Sequence, residues 1–269
     1  MSILFQSSDK GRIMTLHKIM FALVVSLASS VSMAAPTSSF VDFSNGAQGW
    51  EGSQPANGVG GSWIDTGMGN GAPALHTVIE NFDVTFSNRS NQNYLGDYGK
   101  LGSVTIGLDV IANSIITLGQ QVSSNLLLEL RDYDNTPQGL PFTSVWYNLG
   151  SIDFTKGWQQ FSVTIADTTA QALPDGWGGY GTADDANGPA LPPGRTFADV
   201  LASVDEIAFT TLEPGHSYLF HQFDVAIDNI SVTAGVAEVP EPSSHAMLFG
   251  GLAMMGWMGR RRSRRAPKD

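Results

Sequence analysis

The sequence predicts an all-β protein: an antiparallel jelly-roll β-sandwich with a short apolar segment at either end. Three observations predict it. Between Phe40 and Thr233, apolar and polar residues alternate with a period of two. The alternating runs are five to nine residues long and are separated by Gly, Pro, Asn and Asp, which punctuate strands rather than helices. The one helical spacing there, Phe197, Val200, Leu201 and Val204 behind a Thr196 N-cap, suffices for about two turns.

In chain order, residues 1–35 come first and read as a signal peptide. His17 and Lys18 make a short polar start, Ile19–Val31 is apolar, and Ser32-Met33-Ala34 supplies the small residues that signal peptidase needs. Thirteen helical residues reach about 20 Å, less than the roughly 30 Å hydrocarbon core, so no permanent span is expected. Residues 1–13 lack signal character, which points to Met14 as the start of translation.

The domain follows at residues 36–237. Val104, Ile106, Leu108 and Val110 form one in-phase strand, Leu126, Leu128 and Leu130 a second, and Phe161, Val163 and Ile165 a third. Near its end Phe223, Val225 and Ile227 share one parity, whereas Ile230 and Val232 have the other. One extra residue near Asp228-Asn229 returns both to the core, so a β-bulge is expected there. Neither a repeat nor a linker divides the region.

Residues 238–269 form the last segment. Val239-Pro240-Glu241-Pro242 precedes an apolar run at 246–258, which reads as a short transmembrane helix, and then the basic cluster Arg260, Arg261, Arg262, Arg264 and Arg265. Arginines stay cytoplasmic by the positive-inside rule, so the domain lies across the membrane, the same orientation the leader gives. Charge excludes one class of partner. Residues 36–237 carry five basic residues against 21 acidic ones, a net charge near −16, which argues against nucleic acid. With no Cys, disulfides, thiol catalysis and cysteine-ligated zinc are all excluded.

The tail resembles the PEP-CTERM sorting signal of Gram-negative bacteria that make extracellular polysaccharide, in its Pro-Glu-Pro core, its Gly-containing apolar run and its terminal arginines. That resemblance implies recognition by an exosortase, cleavage near Pro-Glu-Pro and delivery to the cell surface or extracellular matrix. Gly46–Gly52, Gly58–Asp65, Tyr94-Leu95-Gly96-Asp97-Tyr98 and the closing Val225–Val232 occur in an order that resembles the laminin-B (galactose-binding-like) jelly roll. The insertion Pro174–Gly194 departs from that pattern.

Candidate chemistry is sparse. Gly176–Gly181 matches GxGxxG but lacks the strand before it and the helix after it that would hold phosphate, so it reads as a loop. Its Trp177 and Tyr180 are the candidate sugar-stacking residues if exposed. Asp132-Tyr133-Asp134-Asn135 is too short for an EF-hand. The resemblance implies a structural calcium at the seam between the chain ends, with Asp42 and Asp228 as ligands; otherwise these two satisfy turn amides. No other cofactor is indicated. No GxSxG or HExxH occurs, and catalysis would have to recruit carboxylates such as Glu80, Asp83, Glu129 or Glu206, among which nothing selects. Three functions follow: a non-enzymatic surface protein associated with secreted polysaccharide, a carbohydrate- or calcium-dependent binding module, and a glycan-active enzyme.

Overall fold

The chain is built almost wholly of strands in the computed structural model, which describes residues 38–71, 73–134, 136–137, 139–182 and 188–235. These are β1 (Ser38–Val41), β2 (Trp50–Gly52), β3 (Gly60–Asp65), β4 (Ala74–Asn81), β5 (Thr85–Asn88), β6 (Ser103–Thr117) and β7 (Gln120–Gln121). They continue with β8 (Ser124–Asp132), β9 (Thr143–Ile152), β10 (Gln159–Ile165), β11 (Trp177–Tyr180), helix α1 (Phe197–Leu201), β12 (Glu206–Thr210) and β13 (His221–Gly235). The first sheet has the order β10-β6-β13-β4-β3, with β1 also on β13 and β7 also on β6. The second has the order β11-β9-β8-β12-β5-β2. Every pairing is antiparallel, and the two sheets form the expected sandwich.

The period-two runs supply the core. Val104, Ile106, Leu108 and Val110 of β6 and Leu126, Leu128 and Leu130 of β8 are all buried in one apolar cluster. Trp50 fills it between Phe209, stacked at 5.7 Å, and Tyr94, edge-on at 5.5 Å, the offset geometries that aromatic rings prefer. The expected bulge is present. The β13–β6 register slips between Asp228 and Ser231, Asn229 adopts φ 51°, and Ile230 and Val232 return to the core. A second slip, between Asp224 and Val225, skips Asn113 on β6; the buried Ala112 and Ile115, of opposite parity, are its sequence signature.

Two expectations need correction. The helix stops at Leu201 after five residues, and Val204 reaches the core instead through an isolated bridge with Gly96, whose N–H donates to Val204 O at 2.8 Å. Thr196 caps it as expected, and Asp199 completes a capping box. The GxGxxG run is not a loop: Trp177–Tyr180 is β11, the edge strand beside β9. Gly178 is required there, because a Cβ would lie 2.2 Å from the Trp146 ring.

β1 begins beside the end of β13, with Ser38 paired to Thr233, so the first and last described strands begin and end at the same end of the sandwich. The leader 1–35, the sorting residues 239–242, the apolar run 246–258 and the basic cluster 260–265 lie outside the described residues. Among the described residues no helix is long and apolar enough to cross a membrane.

Candidate functional site

Four places in the sandwich gather polar or aromatic side chains. The first is the outer side of the second sheet. Alternation along β8 turns Glu129 and Arg131 away from the core, and the ladder sets Arg131 opposite Glu206 of β12. Arg131 donates through Nε to Glu129 Oε2 at 2.8 Å and through Nη1 to Glu206 Oε1 at 3.1 Å. Ser144 donates to Glu129 Oε1 at 2.6 Å, and the Tyr133 hydroxyl donates to Glu206. Burial alone would depress the Arg131 pKa, but the two carboxylates outweigh it and hold the guanidinium more firmly protonated than usual. Burial first, and the Glu206 hydrogen bond second, push the Tyr133 hydroxyl up to about 12.

Two of the carboxylates open to recruitment in the sequence, Glu129 and Glu206, are therefore brought together. Each has its oxygens engaged by charged or hydroxyl donors. A glycosidase acid instead needs a carboxyl held protonated in an apolar setting. What this arrangement does chemically is tie β8, β9 and β12 into one hydrogen-bonded face.

The second place adjoins it. Carboxylate oxygens of Asp132, Asp134 and Asp205 all lie within 4.8 Å of one another, one such group among the described residues, and they could hold a metal ion. Asp132 is fully buried and ion-paired with Arg195. Asp134 and Asp205 open onto a groove of about 360 Å³ that Arg89 and Tyr133 also line. Calcium takes six to eight oxygens, and here amide donors already meet two of the carboxylates: Asp134 N–H on Asp132 and Tyr133 N–H on Asp205, both at 2.8 Å.

The third place is the seam. Asp228 is buried and accepts from Asn70 N–H and Asn229 N–H, each at 2.7 Å. Its ladder partner Asp109 accepts from the Asn70 and Asn229 side-chain amides, each at 2.8 Å. Burial is the main cause that raises the Asp228 pKa, opposed by those two amides and reinforced weakly by Asp109 and Asp42. Asp42 caps its own turn, accepting from Ser44 N–H at 3.0 Å. Amide donors from Asn70 and Asn229 meet Asp228, and the carboxylates of Asp109 and Asp42 lie near enough for their charge to act on it. Asp109 and Asn70 were not legible as part of the seam, because their link to Asp228 runs through strand register.

The fourth place holds the candidate stacking residues. Trp177 is 9% exposed, with Phe197 at 5.1 Å and Tyr147 at 5.5 Å from its ring centre. What remains open lines a groove of about 650 Å³ between the edge strands β10 and β11, shared with Tyr147, Thr164, Asp167 and Gln171. Tyr180 is half-buried on the other side of β11, where it meets Phe142 at 5.4 Å. The two residues therefore do not form one platform.

Comparison with known proteins decides one point. Residues 238–263 match the model of the PEP-CTERM protein-sorting motif. The chain ends in a PEP-CTERM motif. Such a motif marks a protein for export, membrane-associated sorting and exosortase processing. No curated protein matches the sequence. Among solved structures, the family 11 carbohydrate-binding module from Clostridium thermocellum, in complex with a β-1,3-1,4-mixed-linked tetrasaccharide, is 12% identical. The match covers 74% of this chain and 96% of that one, with a TM-score of 0.44. The C-terminal family 22 carbohydrate-binding module of Clostridium thermocellum Xyn10B is 11% identical over 74% and 94%, TM-score 0.38. An exo-β-agarase is 14% identical over 74% of this chain but 25% of its own length, TM-score 0.40. These are likenesses of outline, and nothing they bind or cleave is carried over to this chain.

The PEP-CTERM motif begins three residues beyond the last strand, which ends at Gly235. Processing at the motif therefore falls outside every strand and every core residue described above, and the sandwich keeps its full core when the motif is cut away.

Proposed function

We propose that this is a non-enzymatic protein delivered by the exosortase pathway, with three parts. Residues 1–35 are a signal peptide removed by signal peptidase, residues 36–237 are the β-sandwich, and residues 238–269 are the sorting segment. The apolar run 246–258 holds the exported domain to the inner membrane until exosortase cuts near Val239-Pro240-Glu241-Pro242. The domain then remains at the surface or in the matrix of a Gram-negative bacterium, in association with extracellular polysaccharide. The observation that carries this reading is the PEP-CTERM motif directly behind a sandwich. The engagement of Glu129 and Glu206 by Arg131 supports a non-enzymatic role.

A second reading, a binding module with a defined sugar site, is favoured by the groove between β10 and β11. Its volume lies within the range of small-molecule sites, and Tyr147 and Trp177 give it aromatic walls.

The test of delivery is intact-mass analysis of protein released from cells that possess an exosortase. Loss of everything after about Pro242 is expected, and recovery of protein that still carries Arg260–Arg265 would sink the proposal. The test of the second reading is a glycan array probed with the full chain, in calcium and in chelator, beside Tyr147→Ala. Retained binding in that variant would remove the groove from consideration.

A further inference from the structure

Charge is divided unequally between the sheets. The seven strands of the first sheet contain no lysine or arginine, yet they carry Asp65, Glu80, Asp109, Asp224 and Asp228. In the second sheet the buried Glu129 and Glu206 are matched by Arg131. An aromatic ring stands on the first sheet beside two of these carboxylates, Asp65 and Asp224. Trp63 of β3 faces its ladder partner His76 of β4, ring centres 4.6 Å apart and planes tilted by 49°. His76 is 7% exposed and both of its nitrogens are held, Nδ1 by Asp65 Oδ2 at 3.0 Å and Nε2 by Asp224 Oδ1 at 2.8 Å. Asn113 Nδ2 donates to the same Asp224 oxygen at 2.8 Å, and Gly67 N–H to Asp65 Oδ1 at 2.8 Å. β3, β4, β13 and β6 thus contribute to one fixed pedestal, on which Trp63 remains 45% exposed.

A carboxylate alone attracts any cation, and an exposed ring alone attracts any apolar surface. Side by side on a rigid sheet, they suit a ligand with a flat C–H face and positive charge at its rim. We propose that this face binds a polymer of hexosamine with free amino groups. One pyranose face stacks on the open side of Trp63, and the protonated amines lie against Asp224 Oδ2, the carboxylate oxygen of this cluster that none of these donors meets, with Asp65 adding its charge. Uronate-rich chains are repelled by the same carboxylates. The proposal rests on the reading of a polysaccharide-associated protein and names the chemical class of its polysaccharide.

The experiment titrates the full chain, kept in mild detergent, with four probes at one pH and low salt. These are a short glucosamine oligosaccharide with free amines, its N-acetylated counterpart, an oligouronate and oligolysine. The free-amine sugar should bind, and the other three should bind about tenfold more weakly or not at all. Raising salt from ~0.05 M to ~0.5 M should weaken binding, because the Debye length falls well below the reach of these charges. Trp63→Ala should cost about tenfold in affinity while still unfolding in a cooperative melting transition, and Trp63→Phe should recover most of the affinity. Equal binding of the N-acetylated sugar, equal binding of oligolysine, or an indifferent Trp63→Ala would each overturn the proposal. If glycan binding is lost in Tyr147→Ala but kept in Trp63→Ala, the polysaccharide reading stands and this site falls. If no glycan binds at all, both fall.

Discussion

Arg131 and Glu206 lie directly opposite each other across the β8–β12 ladder, and the arginine Nη1 donates to the carboxylate at 3.1 Å while its Nε and Nη2 hold Glu129. Both glutamates are 3% exposed, so one guanidinium is the principal compensation for two buried charges.

Arg131→Met should therefore destabilise the fold by about 3–5 kcal/mol, the usual result of stranding a buried charge. Adding Glu129→Gln and Glu206→Gln to it should recover a large part of the loss, because nothing charged then remains to be solvated. Urea unfolding of the single and triple variants checks this. A single variant as stable as the parent would mean that water reaches the glutamates freely.

Much of the fold was legible because burial enforces alternation. β6, β8 and β10 are read directly from their apolar positions, and the Asp228–Asn229 bulge from a change of parity. β11 was not legible, since Trp177-Gly178-Gly179-Tyr180 offers two small residues where a strand pattern needs side chains, and its strand state comes from pairing with β9. Sites were harder still. Glu129 and Glu206 are 77 positions apart in sequence and meet only through register. Likewise the clamp on His76 joins Asp65 to Asp224 across three strands, a relation no local motif encodes.

Leu118 sits in the two-residue turn between β6 and β7 with φ 51° and 86% exposure, followed by Gly119 at φ 77°. This turn favours Asn-Gly, because both residues need the left-handed region. Leu118→Asn should stabilise the protein by about 1 kcal/mol, read as a higher melting temperature. A lower melting temperature would show that the leucine makes a contact worth more than its strain.

Acid should weaken the fold in a definable way. Asp65, Asp153, Asp167 and Asp199 are all held below the ordinary 3.8, chiefly by side-chain hydrogen bonds from His76, Thr155, Thr169 and Thr196 respectively. A depressed folded pKa contributes stability above the unfolded value, and that stability is lost as pH falls through the folded value. Asp228, raised by burial, works in the opposite sense and is relieved by protonation. Melting temperature should drop between about pH 5 and about pH 2. The drop should be smaller in a Thr155→Val, Thr169→Val double variant, which lacks two of the donors. An identical drop in both proteins would refute the assignment.

The seam gives the last prediction. Asp228 presents acceptors to two backbone amides at 2.7 Å, and an asparagine can replace only one of those acceptors while turning an N–H donor toward the other amide. Leaving that buried amide unmatched should cost about 1–3 kcal/mol, diminished because an amide has no charge to desolvate. Asp228→Asn should lower the melting temperature by the same amount in millimolar calcium and in EDTA, since the amides of Asn70 and Asn229 meet Asp228 without an ion. A cation bound only by the folded state would instead add RT ln(1 + [L]/Kd), about 2.7 kcal/mol at a hundred times Kd. Comparing Asp228→Asn with Asp134→Asn locates any such gain. A calcium-dependent rise abolished by Asp228→Asn alone would assign the ion to Asp42 and Asp228. A rise abolished by Asp134→Asn alone would assign the ion to Asp132, Asp134 and Asp205, whose oxygens already lie within 4.8 Å of one another.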